Sequence, residues 1–225
     1  MARIRQTAAV GTAVLAVLAV GTVPASAATT TIRKGSAAAA PYTGNVRASL
    51  LGSATVSSSI GSGSCNESTM TGAIQSNGTG LNVSSASFTS NGGGPCTGTT
   101  TATITAQNLP WSGGSVVFDS AHTGNRDAAV TIANFRVKAV VNLLGGITCI
   151  FGGNLTANGY NPTNPNRPVT GNNQAQVGVN GATVSKQSGS NIFCPSTATV
   201  TATYQLLGET VAGSGTFNQT LFVTS

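Results

Sequence analysis

The phrase "CTGTTTATITAQNL", starting at Cys96, returns 98 residues later (194 − 96) as "CPSTATVTATYQLL", starting at Cys194. Thr99, Thr101, Thr103 and Thr105 occupy every second place in the first copy, with Ala102, Ile104 and Ala106 between them. In the second copy Thr197, Thr199, Thr201 and Thr203 alternate with Ala198, Val200, Ala202 and Tyr204. A strand sends successive side chains to opposite faces, so each phrase predicts a strand with one hydroxylated, solvated face and one packed face. Threonine suits that role because its β-branch favours the pleat while its hydroxyl meets water. Each cysteine falls on the apolar parity.

The flanks extend the repeat. "LNVSSASFTS" from Leu81 precedes Cys96, and "VGVNGATVSK" from Val177 precedes Cys194. Further back, "CNESTMTGAI" from Cys65 corresponds to "CIFGGNLTAN" from Cys149. Each half therefore reads as strand, cysteine, short strand, loop, strand, cysteine, threonine-striped strand, the mark of an internal duplication. Pairing within each unit joins Cys65 to Cys96 and Cys149 to Cys194, closing loops of 31 and 45 residues (96 − 65, 194 − 149). On the chain-entropy account such closures contribute roughly 3–4 kcal/mol each. With one histidine and no CxxC spacing, the cysteines read as disulfides of an oxidising compartment rather than zinc ligands.

The first 27 residues read as a signal peptide: Arg3 and Arg5, then "AAVGTAVLAVLAVGTV", then "PASA" before a cut after Ala27. Residues 28–113 form the first β unit, with "AATTTIRKGSAAAAP" as its flexible lead-in, and residues 114–225 the second; the two units either stand apart or share one core. Other strands are expected in "YTGNVRASLL", "SATVSSSI", "SVVF", "AAVTIANFRVKAVVNLL" (one bent strand or two) and "GSGTFNQTLFV", with Gly, Asn and Ser turns between. The expected fold is all-β: an antiparallel sandwich or barrel built from two duplicated, disulfide-clamped units. No later stretch is apolar enough to span a bilayer.

Charge excludes some partners. Without Arg3 and Arg5, eight of the ten basic residues face four acids, a formal +4 (8 − 4) scattered along the chain. No basic run interleaved with aromatics appears, so nucleic acid is not an expected partner.

Catalytic groups are sparse. His122 stands near Asp119 and Asp127 in "FDSAHTGNRD", where a general base oriented by a carboxylate is conceivable; the composition reads better as a polar hairpin tip. Glu67, Asp119, Asp127 and Glu209 are not brought together by sequence, and Asp119 with Asp127 is too small a set for calcium. No catalytic residue, cofactor or metal is expected. Trp111 reads as a core or rim plug. The long turn-rich stretch "NGYNPTNPNRPVTGNN" is the candidate contact loop, with Tyr160, Asn161, Asn164 and Arg167 as its contact residues.

The order Cys65, "SSASFTSNGGGPC", threonine-rich strand and "NLPW" (Leu109, Pro110, Trp111) resembles a group of secreted β-rich actinobacterial proteins. More distantly it is similar to the pseudomonad activators of alkane oxidation, which also carry Cys…Cys…LPW. The likeness covers mainly Tyr42 to Trp111; after Cys194 the second half has "YQLLGE" where "QNLPWS" would stand. It implies an exported, non-catalytic protein with surface or adhesive roles, and supplies no active site to carry over.

Two functions follow as expectations. The first is a secreted, surface-associated structural or adhesive protein that contacts cell-envelope or matrix components. The alternative is an extracellular binding protein for a small apolar ligand or a carbohydrate.

Overall fold

The computed structural model describes residues 29–142 and 146–225; the signal-peptide expectation lies outside them. Its strands are β1 (Thr31–Lys34), β2 (Gly44–Leu50), β3 (Ala54–Ser58), β4 (Gly61–Cys65), β5 (Glu67–Ile74), β6 (Leu81–Thr89), β7 (Thr97–Gly98), β8 (Ala102–Ala106), β9 (Trp111–Phe118), β10 (Ala128–Val141), β11 (Ile147–Tyr160), β12 (Ala175–Lys186), β13 (Thr197–Glu209) and β14 (Phe217–Thr224). They form a closed eight-strand antiparallel barrel with outer strands.

Several staves of the barrel are made of two strands end to end. β2 and β3 both pair with β13, with Leu206 opposite Ala48 and Val200 opposite Val56. β5 and β4 continue the ring from them, β5 against β2 and β4 against β3. β6 follows, and then β8 and β9 together fill the gap between β6 and β10. β10, β11, β12 and β13 complete the circuit. Both sides of the Pro110–Ser115 seam feed one core, in which Ala54, Met70 and Trp111 pack with Ile132, Phe151 and Tyr204.

The duplication is visible in this ring. The same 84 residues separate Gly44 from Ala128 (128 − 44), where the first stave of each half begins, and Cys65 from Cys149 (149 − 65). Each half supplies four successive staves, so half a turn about the barrel axis carries one onto the other. Both disulfides are formed, Cys65–Cys96 and Cys149–Cys194, and both lie at the same end of the barrel. The halves differ at the fourth stave. β13 runs unbroken, whereas its counterpart is cut into β8 and β9 at the cis Leu109–Pro110 bond. Trp111 fills that cut: it is 1% exposed, donates its indole N–H to the Gln107 carbonyl at 2.8 Å, and packs against Phe135 with ring centroids 4.8 Å apart and planes tilted by 58°. β10 is one strand bent by a bulge at Ala133–Asn134, where Asn134 takes a left-handed φ of 57° and its amide reaches the Ser112 carbonyl.

The threonine stripes face out. Thr199 and Thr201 are exposed while Ala198 and Ala202 are buried. A barrel that crosses a bilayer carries the opposite pattern, apolar outside. Among the described residues no helix is long and apolar enough to cross a membrane.

Thr31–Lys34, expected within a flexible lead-in, forms a strand instead. β1 pairs with β14, Ile32 is buried with Ile74, Leu221 and Val223, and Arg33 Nε donates to Thr224 Oγ1 at 3.1 Å. One apolar side chain placed beside a waiting edge strand accounts for the order, a partner that composition does not reveal. This strand pair, with Tyr42, closes the barrel end opposite the disulfides. Tyr42 Oη accepts the Glu209 N–H at 2.7 Å, and its ring leaves no room for a side chain at residue 208, where a Cβ would stand 2.7 Å away; the sequence has Gly208.

Candidate binding cavity

Eight strands enclose an interior that side chains either fill or leave open for one small ligand. Here small residues line much of the wall: Ala48, Ala54, Ala102, Ala139, Ala198 and Ala202 point inward alongside Val, Ile and Phe. They leave a cavity of about 290 Å³ whose lining, among the described residues, contains no Asp, Glu, Lys, Arg or His.

One face of one strand shows where the hollow opens. Ala128, Val130 and Ile132 of β10 line the closed end and are buried; Val137, Ala139 and Val141, further along the same inward row, remain partly exposed. Val56 in β3 and Ile60 in the turn between β3 and β4 line the cavity yet are 38% and 42% exposed. The mouth therefore lies at the disulfide end. β4 forms its thin side: Gly61 and Gly63 stand where inward side chains belong, and both line the cavity. The corresponding place to Gly63 in the second half, two residues before its cysteine, carries Ile147, which is 5% exposed. Beside the mouth, the β12–β13 loop holds Ile192 and Phe193 out to solvent, 84% and 64% exposed. The loop is anchored through Asn191 N–H to the Thr148 carbonyl, through Lys186 Nζ to the Cys194 carbonyl, and through the second disulfide.

Inside, polar groups are few. Gln176 is spent on the backbone of Val169 and Asn172, and Asn161 on that of Val223. Tyr204 and Ser68 meet hydroxyl to hydroxyl at 3.0 Å, both buried. Burial pushes the Tyr204 phenol above its ordinary value, with the Ser68 hydrogen bond opposing, so the phenol keeps its proton.

Apart from Glu67, the polar residues singled out in the sequence gather at the closed end. Asp127 is buried; its carboxylate accepts the Asn161 N–H at 2.7 Å and the Asn164 amide at 2.8 Å, and lies 3.4 Å from His122 Nδ1. His122 is itself exposed, and a small cleft beside it is lined by Asn125, Thr163, Asn164, Pro165 and Asn166. Asp119 holds Arg126 at 2.7 Å, and that ion-paired hydrogen bond keeps its carboxyl below the usual range, helped by Thr123 and Ala121. Among the described residues no Ser, Thr or Cys side chain hydrogen-bonds the His122 ring, and no cluster of three or more His, Cys, Asp or Glu forms.

The stretch 158–173 lies over this end as a fitted cap. Asn161 and Asn164 are buried against the barrel, and Tyr160 contributes to the cavity wall. Arg167 turns back on its own loop, donating to the carbonyls of Asn164, Thr170 and Asn172. Glu67 and Glu209 serve turns: Glu67 accepts the N–H groups of Gly92 and Gly93, Glu209 those of Gly215 and Gly213, and these bonds hold both carboxyls below the ordinary glutamate range.

Fold and site together define an all-β, disulfide-bonded barrel with an apolar hollow. Comparison with protein-family models, with curated proteins and with solved structures finds no match for the chain.

Sequence reasoning did not single out Tyr204 with Ser68, nor the glycines of β4. A signal for the second was present: "GSGSC" before Cys65 faces "GITC" before Cys149.

Proposed function

We propose that the barrel binds a small apolar molecule, the alternative among the two functions the sequence leaves open, and that it does so as an exported protein. One observation carries the reading: a cavity of about 290 Å³ whose lining, among the described residues, is apolar and free of charged side chains, with Val56 and Ile60 of that lining 38% and 42% exposed near the disulfide end. Ligand sites are concave and mostly apolar with few polar groups, and this hollow has that form. A carbohydrate would ask for many hydrogen-bonding groups, whereas this wall is mostly apolar. Two buried disulfides fit an oxidising compartment, and the polar outer face fits water.

Thermal denaturation in the presence of graded apolar probes tests the reading. A probe at a hundred times its Kd raises stability by about 2.7 kcal/mol. A set of alkanes, ketones and small aromatics that all leave the transition unmoved would end it.

The surface-attachment reading keeps one observation in its favour, the outward pair Ile192 and Phe193. Retention of the protein in a cell-envelope fraction, lost on Ile192→Ser with Phe193→Ser, would support it; release in equal amounts from both forms would not.

A further inference from the structure

Resting on the ligand-binding reading above, we infer that the cavity is built for a neutral, largely hydrocarbon molecule carrying one hydrogen-bond-accepting oxygen, and that the Tyr204 hydroxyl supplies the hydrogen bond. The inference comes from counting hydrogens. Each hydroxyl brings one donor hydrogen and two acceptor sites. Tyr204 on β13 and Ser68 on β5 reach across β2 and share one hydrogen bond of 3.0 Å. That bond uses one of their two hydrogens. Neither hydroxyl has another partner among the described residues, so the second hydrogen is left without an acceptor in apolar surroundings.

A buried donor without a partner is costly and calls for explanation. The Tyr204 ring forms part of the cavity wall, whereas Ser68 does not. With Ser68 donating to Tyr204 Oη, one of the two directions open to the bond, the phenolic O–H turns to the hollow. Burial raises the phenol's ionisation range, so it remains a donor.

The wall decides what bears the acceptor. A carboxylate or an ammonium would enter an apolar space with no counter-charge in the lining, at heavy desolvation cost. A ketone, ester or ether oxygen carries no such penalty. Size follows by proportion: an apolar cavity of about 150 Å³ accepts benzene, so about 290 Å³ suits roughly twelve heavy atoms.

The test uses the full chain and probes of one skeleton: methyl nonyl ketone, dodecane and undecanoate, titrated by amide NMR. The expected result is a ketone affinity about tenfold above dodecane, the worth of one well-made hydrogen bond, with undecanoate weakest. Tyr204→Phe keeps the ring and should erase the ketone's advantage while leaving dodecane affinity unchanged. Ser68→Ala keeps the donor and should keep the advantage. If the ketone binds no tighter than dodecane, if undecanoate binds best, or if the advantage survives Tyr204→Phe, the inference is overturned although the ligand-binding reading stands. If no probe shifts any amide of a lining residue, both fall together.

Discussion

Gly63 and Ile147 hold the same place in the two halves of the barrel, two residues ahead of Cys65 and Cys149, and only one of them has a side chain. Both line the cavity, and the missing side chain lies on the side where the hollow reaches solvent. A Cβ built on Gly63 meets a single neighbour, the Thr97 carbonyl, at an ordinary 3.5 Å. Gly63→Val should therefore leave the melting temperature unchanged or raise it, since glycine inside a strand costs about 0.5–1 kcal/mol relative to alanine. The same substitution should weaken apolar-probe binding by about an order of magnitude. Calorimetry and probe titration on one sample check both halves of the prediction.

The second disulfide ties the exposed β12–β13 loop to β11. Replacing Cys149 and Cys194 by alanine should lower the unfolding free energy by about 4 kcal/mol, from the entropy restored to the unfolded chain. Urea denaturation measures the loss.

Asp127 should act as a fastener for the stretch 158–173. Asp127→Ala strands the Asn161 N–H and the Asn164 amide and should cost about 1–3 kcal/mol. Hydrogen exchange should show protection lost at residues 158–173 and kept in β4, because the cap and the mouth are at opposite ends. Exchange that rises equally at both ends would argue against a local fastener.

Glu67 and Glu209 give the stability its acid edge. Their carboxyls are held below the ordinary value of 4.5 by backbone N–H groups in the folded state. Such groups stabilise the fold when ionised, so their contribution is fully present above pH 4.5 and is lost as pH falls through the depressed folded value. The urea midpoint should be flat from neutrality down to about pH 5 and fall below that. Glu209→Gln should lower the neutral-pH midpoint and flatten the acid fall. An unchanged acid slope in that variant would remove Glu209 from the account.

Trp111 is the chain's only tryptophan. Its burial against Phe135 predicts blue-shifted fluorescence that iodide does not quench in the folded protein.

The threonine stripes made much of this fold legible. Strand parity placed Ala198, Ala202 and Tyr204 inward and the hydroxyls outward, and the repeat paired the four cysteines as the structure does. What decided between sandwich and barrel was the contact of β2 with β13, between residues such as Ala48 and Leu206 that lie far apart in the chain. No local pattern encodes such a contact. The cavity was hidden for a related reason. Each alanine on the wall is ordinary by itself, and only the closed ring sums them into a hollow. The stretch 158–173 read as a turn-rich contact loop because prolines and asparagines dominate it; a single buried carboxylate, Asp127, holds Asn161 and Asn164 inward.

The seam between β2 and β13 also fixes when this chain can finish folding. Leu50 waits for Tyr204, so the circuit stays open until β13 has been synthesised, and until then both ends of the growing sheet present unsatisfied edges. Such a chain gains little from early, piecemeal assembly, and premature pairing with a neighbour is its main hazard. Its yield should depend on how long the nascent ribbon is kept apart from its siblings.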